Sequence, residues 1–257
     1  MSEKQDYRIE ILDLAIDVLE ILNANREKAL GVSDISRAVG ITKSRVFRIL
    51  KTLELRDYVA LDLSTQSYRL GLRLLELGIG VRQQFSLSQM AAPRLQELAQ
   101  NTGEAVHLLV LLGHFAVCMD RYQGAHMLQG ATPIGAHIPL HVGASPKLLL
   151  AFLPDHEREH LLREIDLPQF TPNTIMSRDV LRQRLEQISE RGYSIDLEEY
   201  EVGVNAIGAP IRDHSGAVIA GVGLTCPTVR WSDSRKEDLV KQVVATAGRI
   251  SRSPGAI

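Results

Sequence analysis

Between residues 32 and 70, two helical patterns separated by a glycine lead directly into two short strand patterns. The first helical pattern, SDISRAV, ends at Gly40, and the second, ITKSRVFRILKTLELRDYV, follows at once. Apolar residues recur along one side of the second pattern at helical spacing, namely Val46, Ile49, Leu50 and Leu53. The other side carries five cations against one acid, Glu54; the cations are Lys43, Arg45, Arg48, Lys51 and Arg56.

The segments on either side complete this pattern. Upstream, IEILDLAIDVLEIL predicts an amphipathic helix, whose core-facing stripe we expect at Ile9, Leu12, Ile16 and Leu19, widened by Ala15, Val18 and Leu22. Such a helix is not stable alone and must pack on another element. Downstream, YVALD and SYRLG predict a β-hairpin whose turn spans residues 63–66. Three helices followed by a hairpin predict a winged helix-turn-helix.

A winged helix-turn-helix binds double-stranded DNA by placing one helix in the major groove. We expect base contacts from the first turn of the basic helix, at Lys43, Ser44 and Arg45, and phosphate contacts from Arg48, Lys51 and Thr52. The hairpin would contribute Tyr68 and Arg69, and the two helix starts would contribute Ser33 and Thr42. Ser33 is placed to cap the first helix, and either Thr42 or Ser44 can cap the second. A basic face can also be merely solvated, and Arg48 could instead brace the helix against an acidic neighbour.

Composition limits the other classes of function. The 257 residues have a formal net charge of −2, which excludes a polybasic protein held on DNA or lipid by bulk charge. Cys118 and Cys226 are the only cysteines, so there is no disulfide framework and no Cys-x-x-Cys metal motif. The first residues show no apolar secretory segment, and no run of 18 apolar residues occurs. We therefore expect a cytoplasmic protein with reduced thiols and no membrane partner.

The second half of the chain has a different order of predicted helices and strands. A helical linker from Gly71 to about Gln84, weakened by Gly78 and Gly80, precedes a long helix, LSQMAAPRLQELAQNTG. Strand patterns then alternate with helices: AVHLLVLL and FAVCMDRY form one pair, and VNAIGAPIRD and AVIAGVGLT form another. This order predicts an α/β arrangement of antiparallel strands with helices on the faces.

At these residues the chain resembles the IclR family of bacterial transcription regulators. The segments that carry the resemblance are VSDISRAVGITKSRVFRILKTLELRDYV, YRLGLRLLELG, HIPLHVGASPKLLLAF and RGYSIDLEEYEVGVNAIGAPIRDHSGAVIAGVGLTCPTVRWS. The resemblance implies an α+β chain with three parts: a winged helix-turn-helix over 8–71 (helix-turn-helix about 32–51), a linker helix over 72–85, and a GAF-like α/β effector-binding and oligomerisation domain with an antiparallel sheet over 86–257. It also implies homodimers or homotetramers on a palindromic operator.

One segment of the second half indicates an anion site on its own residues. In HVGASPKLLLAF, we expect Ser145 at the N-cap and Pro146 at the first helical position, which leaves the N–H groups of Lys147 and Leu148 free. Helix N-termini of this kind attract carboxylates or phosphates, although at most helix starts the free N–H groups bond only to the capping residue and to water.

The family resemblance extends this site to an effector pocket. Mapped onto this sequence, it implies contacts to a small organic acid from Ala144, Ser145, Asp196, Ala206, Gly223 and Thr225. Ala206 and Gly223 are smaller and less polar than the Cys and Ser of the glyoxylate- and pyruvate-responsive member. We therefore expect a roomier, more apolar pocket suited to an aromatic or longer-chain acid. Pro146 replaces a frequent Gly and stiffens the turn.

Catalytic and metal chemistry find little support in the sequence. Five histidines, at positions 107, 114, 126, 137 and 141, lack the spacing or cysteine partners of a zinc site and are interpreted as core or surface residues. Adjacent carboxylates such as Glu198 and Glu199 usually point apart. We expect no cofactor, no metal and no enzymatic activity. The leading hypothesis is a repressor of a catabolic operon controlled by a small organic acid. A constitutive DNA-binding protein and an acid-metabolising enzyme stay open as alternatives.

Overall fold

A computed structural model of the chain describes residues 9–25, 28–84, 86–128, 130 and 132–253. It divides into two compact units, one ending at Val81 and the other starting at Arg82. The division falls inside one helix, Leu72–Gln84. The outer bounds expected at residues 8 and 257, and the linker end expected at 85, lie outside the described residues.

The first unit is a winged helix-turn-helix, as the sequence predicts. Its elements are α1 (Glu10–Ala24), β1 (Leu30–Gly31), α2 (Val32–Val39), α3 (Lys43–Glu54), β2 (Val59–Asp62), β3 (Ser67–Leu70) and the greater part of α4 (Leu72–Gln84). The strands form an antiparallel sheet in the order β1-β3-β2. The predicted hairpin turn is held by the Asp62 carboxylate, which accepts hydrogen bonds from the Ser64 amide and hydroxyl groups at 2.9 and 2.6 Å.

The stripe predicted for α1 was wrong in part. Val18 and Leu22 are buried in the core, whereas Ile9, Leu12 and Ile16 are all more than half exposed. Apolar residues occupy more than one side of this helix, and periodicity alone does not decide which side packs inward. The prediction for α3 was better, because Val46, Ile49 and Leu50 are buried and Leu53 packs against them.

The start of α2 also differs from the prediction. The helix begins at Val32 with Gly31 at the N-cap position, so Ser33 is its second residue and caps nothing. The Asp34 carboxylate instead accepts a hydrogen bond from the Gly31 amide at 3.3 Å. Gly40 ends the helix with φ 76°, a left-handed conformation that favours glycine.

The second unit is built on a six-stranded antiparallel sheet in the order β6-β5-β4-β9-β8-β7. Its elements are α5 (Ser86–Thr102), β4 (Ala105–Leu112), β5 (Phe115–Tyr122), β6 (His137–Pro139), α6 (Ala144–Ala151), α7 (Asp155–Glu164), α8 (Arg178–Arg191), β7 (Ser194–Leu197), β8 (Val204–Arg212), β9 (Val218–Pro227) and α9 (Asp233–Ser251). The predicted pairs β4–β5 and β8–β9 are both present. Strands β1, β6 and β7 and helix α7 were not predicted.

Helices cover both faces of this sheet. On one face, α5 and α9 pack on a core that includes Leu95, Val222 and Val243. On the other face, α6 and α8 pack on a second core that includes Leu148 and Leu185. The strand residues alternate between these two cores, which fixes which side chains face α6.

Candidate functional site

The outward side of α3 carries the expected cations. Helical spacing places Ser44, Arg48 and Lys51 opposite the buried stripe, with Phe47 beside them at 48% exposure. Lys43, Ser44, Arg48 and Thr52 are exposed. Thr42 is exposed at the N-cap position of α3, but its side chain makes no capping hydrogen bond, so that part of the prediction was wrong. Ser33 is exposed at the second position of α2. These residues are all accessible in the first unit, and their contacts with DNA stay predictions.

The bracing interaction expected at Arg48 occurs instead at Arg45. The Arg45 guanidinium donates to the Glu10 carboxylate of α1 at 2.9 Å, and both side chains remain partly exposed. Lys51 forms an ion pair with Glu54 at 2.7 Å. Among the described residues, no acidic group lies within ion-pair distance of Arg48. Exposed pairs of this kind contribute little to stability.

One expected DNA contact is excluded by burial. Tyr68 lies on β3 opposite Leu30 of β1, is 2% exposed, and packs in the core of the first unit. Strand alternation turns Tyr68 inward and the next residue, Arg69, outward into solvent. Arg69 is therefore the wing residue whose predicted DNA contact stays open, and the assignment of Tyr68 was wrong.

In the second unit, one cavity brings together all six residues that the resemblance implies. They are Ala144, Ser145, Asp196, Ala206, Gly223 and Thr225. Apolar side chains supply much of the remaining wall, namely Leu109, Ile138, Tyr200 and Val204. The space open to the centre of a water molecule is about 60 Å³. That corresponds to about four to six water-sized atoms, a smaller cavity than we expected.

Strand register explains why these residues meet. Asp196, Ala206 and Thr225 are direct partners across β7, β8 and β9. Gly223 lies two residues before Thr225 on β9, on the same face, and its partner on the neighbouring strand β4 is His107. Side chains two residues apart on a strand share a face, so both rows point towards α6.

Glycines let α6 approach this sheet closely. A Cβ on Gly223 would lie 2.8 Å from Ser145 Oγ, and a Cβ on Gly208 would lie 3.0 Å from the Ser145 amide nitrogen. A real Cβ atom essentially never comes within 3.0 Å of a neighbour, and 3.0 Å is at the tight limit of such contacts. A Cβ at Gly223 would therefore require the Ser145 hydroxyl to move, and a Cβ at Gly208 would press on the first turn of α6.

The helix at the cavity starts earlier than the sequence predicts. Helix α6 begins at Ala144, with Gly143 at the N-cap position, so Ser145 and Pro146 are its second and third residues. Gly143 has φ 75° and ψ 160°, a conformation essentially restricted to glycine, and this early turn shifts the start. The amide groups in the first turn therefore belong to Ala144 and Ser145, not to Lys147 and Leu148.

Three polar atoms in the cavity wall are buried without a hydrogen-bond partner among the described residues: Ser145 Oγ, Thr225 Oγ1 and His107 Nε2. Ser145 and His107 are each 2% exposed. Burial lowers the pKa of His107 to about 4, so its imidazole is neutral. Buried polar groups are normally paired, so three such atoms around one cavity, without a protein partner, are typical of a site that binds a polar ligand or water.

A buried charged cluster next to the cavity was missed by sequence reasoning. Lys147 of α6 is fully buried and forms an ion pair with Glu199, which also accepts from Arg184 at 3.2 Å. Asp196 accepts from the amides of Gly143 at 2.8 Å and Glu199 at 3.2 Å. Burial raises the pKa of Asp196 to about 6 and lowers that of Lys147. The lysine inside the apolar run ASPKLLLA was the available signal.

The remaining candidates lie apart from this cavity or take structural roles. Glu198 bonds to the Gly203 amide while Glu199 points to Lys147, so the two carboxylates diverge as predicted. Burial raises the pKa of both cysteine thiols, Cys118 and Cys226, to about 12. The described residues contain no His, Cys, Asp and Glu cluster able to hold a metal ion, and none of their helices is long and apolar enough to cross a bilayer.

Comparison with known proteins decides the family. Residues 80–252 match the sequence model of the bacterial transcriptional regulator IclR C-terminal domain, and residues 12–63 match that of the IclR helix-turn-helix domain. The chain belongs to the IclR family. It is therefore a transcriptional regulator with an N-terminal helix-turn-helix and a C-terminal effector-binding domain.

Individual IclR-family relatives agree over almost the full length. The HTH-type transcriptional regulator XynR of Escherichia coli K12 is 33% identical, over 96% of this chain and 98% of its own. The transcriptional repressor AllR of the same strain is 30% identical, over 96% of this chain and 90% of its own. An IclR homologue from Microbacterium hydrocarbonoxydans, complexed with 4-hydroxybenzoate, is 26% identical with a TM-score of 0.82, over 94% of this chain and 97% of its own.

Proposed function

We propose that this protein represses a catabolic operon and that a short organic acid, bound in the cavity at the start of α6, controls its affinity for the operator DNA. The observation that carries the proposal is the set of three unpaired buried polar atoms around one cavity, at Ser145, Thr225 and His107. Leaving such groups unpaired costs about 1–3 kcal/mol each, which a polar ligand recovers. Repression is supported by the relative AllR, which is a named repressor.

The chemistry at the start of α6 favours an acid. The amides of Ala144 and Ser145 lie in the first turn, where the helix dipole attracts negative charge. The Ser145 hydroxyl adds a donor at the same point. The Microbacterium homologue, which is complexed with an aromatic hydroxy acid, supports the same ligand class.

The volume of the cavity favours a short acid. Space for about four to six water-sized atoms matches an aliphatic acid of three or four carbons. A dry cavity that holds benzene is of the order of 150 Å³, well above the 60 Å³ found here. We therefore replace the expectation of an aromatic or longer-chain acid with a short aliphatic one.

The DNA contacts follow from the exposed side of α3. Lys43, Ser44 and Arg45 would read base edges, Arg48, Lys51 and Thr52 would meet phosphates, and Arg69 would enter the flanking groove. A two-fold dimer would reach two half-sites about 34 Å apart or a multiple of that spacing. The acid acts because it binds one arrangement of the dimer better than the other, which shifts the population between them.

Two observations bear on the alternative of an enzyme. Ser145 and His107 line the same cavity, but neither Ser145 Oγ nor His107 Nε2 has a hydrogen-bond partner, so they do not form an activated nucleophile–base pair. Both cysteines are buried with raised pKa values. We infer that the cavity binds its acid without converting it.

A promoter-reporter experiment tests this function. The region upstream of the gene drives a reporter in cells that lack or express the protein, grown with individual short acids. We expect low reporter output when the protein is present, and recovery of output when the correct acid is supplied. Output that is unaffected by the protein contradicts repression. Repression that is indifferent to every acid supports the constitutive DNA-binding alternative. Conversion of the acid by purified protein supports the enzyme.

A further inference from the structure

One atom of the cavity wall is not explained by the binding of a carboxylate. His107 lies on β4, is 2% exposed, and its Nε2 has no hydrogen-bond partner among the described residues. A neutral imidazole carries no charge to offer a carboxylate, which is better placed at the amides of Ala144 and Ser145. It does offer one N–H donor and one lone pair to a neutral polar group.

The register of the sheet sets the distance between the two polar ends of the cavity. Ser145 Oγ lies 2.8 Å from the position that a Cβ on Gly223 would occupy. His107 is the residue directly opposite Gly223 on the neighbouring strand, and Cβ positions of such partners are about 4.5–5.5 Å apart. His107 therefore lies about one strand spacing from a carboxylate held at Ser145, where it faces the carbon atoms next to that carboxylate.

A third atom supports the same position. Thr225 lies two residues beyond Gly223 on β9, on the same face, and its Oγ1 is also buried without a partner. A hydroxyl or oxo oxygen between His107 and Thr225 would satisfy both side chains at once. An unsubstituted acid would leave both unpaired, and apolar walls such as Val204 cannot replace the missing bond.

We propose that His107 is a specificity residue of this cavity, which selects acids bearing a hydroxyl or oxo oxygen on the second or third carbon. The inference rests on the proposed function in one respect, namely that the cavity binds a carboxylate at the start of α6. It adds the identity of a second recognised group and the residue that reads it.

The test uses the full-length protein, calorimetry and matched acids. Lactate and pyruvate are each compared with propionate, and 2-, 3- and 4-hydroxybutyrate are compared with butyrate. We expect at least one 2- or 3-substituted acid to bind about 10- to 100-fold more tightly than its unsubstituted parent, with no gain from the distal hydroxyl of 4-hydroxybutyrate. Equal binding of parent and substituted acids overturns the inference.

Variants of His107 test whether this residue is responsible for the selectivity between substituted and unsubstituted acids. His107→Leu should bring the substituted acid down to the affinity of its parent, and His107→Asn, which keeps a hydrogen-bonding group, should retain part of the preference. His114→Leu removes an exposed histidine paired with Glu164 and should change nothing. Selectivity that survives in His107→Leu overturns the assignment to His107. If His107→Leu does not fold, the hydroxybutyrate series and His107→Asn still decide.

Failure of this inference is separable from failure of the proposed function. Selective binding of a substituted acid that leaves operator affinity unchanged supports the role of His107 and contradicts acid control of the operator. Control by an acid without selectivity contradicts only the role of His107. Binding of none of these acids at millimolar concentration overturns both.

Discussion

Ser145 lies directly over Gly223, so close that a methyl group on the glycine would come within 2.8 Å of the Ser145 hydroxyl oxygen. Gly221 lies beneath the same serine, where an added Cβ would be 3.3 Å from Ser145 Cβ. This contact brings the first turn of α6 down onto the sheet and forms one wall of the cavity.

Gly223→Ala should therefore disable the cavity. The added methyl requires the Ser145 hydroxyl to move from its place in the cavity wall, which we expect to cost about 1–3 kcal/mol of stability and to weaken acid binding at least about tenfold. Calorimetry with the best-binding acid measures the loss, and operator affinity without acid should be unchanged. Gly248→Ala is the matched control, since its methyl would meet only the flexible end of Arg252 at 3.4 Å. Undiminished acid binding by Gly223→Ala would contradict this cavity as the site.

The cavity shows which parts of the site can be predicted from the sequence and which cannot. Its six implied residues converge because strand register aligns Asp196, Ala206 and Thr225 on one face, and the strands β8 and β9 were visible as patterns. The start of α6 was misplaced by two residues, because the unusual backbone of Gly143 is not visible in a pattern of caps. The contribution of His107 depended on which face of β4 meets α6, which periodicity does not reveal.

Lys147→Met should destabilise the effector domain. Removing the ammonium leaves the buried Glu199 carboxylate with Arg184 as its remaining cation, and breaking a buried pair in this way costs about 3–5 kcal/mol. Urea unfolding followed by circular dichroism measures the change. The double variant Lys147→Met/Glu199→Gln should recover part of the loss. Lys241→Met, at an exposed position of α9, serves as the control. A loss below about 1 kcal/mol would show that the pair contributes little.

Asp196 should give the effector domain a measurable pH dependence. Its folded-state pKa of about 6 lies above the value of 3.8 expected when unfolded, so the folded state binds more protons between these values. The stability that this group contributes is present below about pH 4 and is lost as the pH rises through about 6. His107, with a pKa lowered to about 4, contributes the opposite slope over much of this range.

The comparison of wild type with Asp196→Asn isolates that contribution. The asparagine does not titrate, so the melting temperature of the wild type should fall relative to the variant between pH 4.5 and 7. The shift of about two pKa units corresponds to up to about 3 kcal/mol. Parallel melting curves across this range would mean that the Asp196 carboxyl keeps an ordinary pKa in the fold.

Tyr68 and Arg69 should have opposite phenotypes. Tyr68→Ala should destabilise the winged helix by about 3–5 kcal/mol because the ring is buried in its core, whereas Tyr68→Phe should leave operator affinity within about twofold. Arg69→Ala should fold normally and bind operator less tightly. Fluorescence anisotropy and thermal melting separate the two effects. A strong loss of operator affinity in a stable Tyr68→Phe protein would restore the tyrosine as a DNA contact.

The winged helix was predictable where one face of an element clearly packs inward. The stripe at Val46, Ile49 and Leu50 is unambiguous, because the opposite side of α3 is charged. Helix α1 is apolar on several sides, so the choice between Leu12 and Val18 needed the neighbouring elements. The short strands β1 and β7 have too few residues to show the alternating pattern of a strand. They form because β3 and β8 each have an edge available for pairing.

Operator affinity, measured by fluorescence anisotropy at low ionic strength with a labelled fragment of the upstream promoter, tests the central claim most directly. The account predicts specific binding that Arg45→Ala weakens by about 1–3 kcal/mol, that Lys241→Ala leaves unchanged, and that the best-binding acid alters in the wild type but not in Gly223→Ala. Affinity that is the same for the promoter and for unrelated DNA, and the same with and without acid, would contradict it.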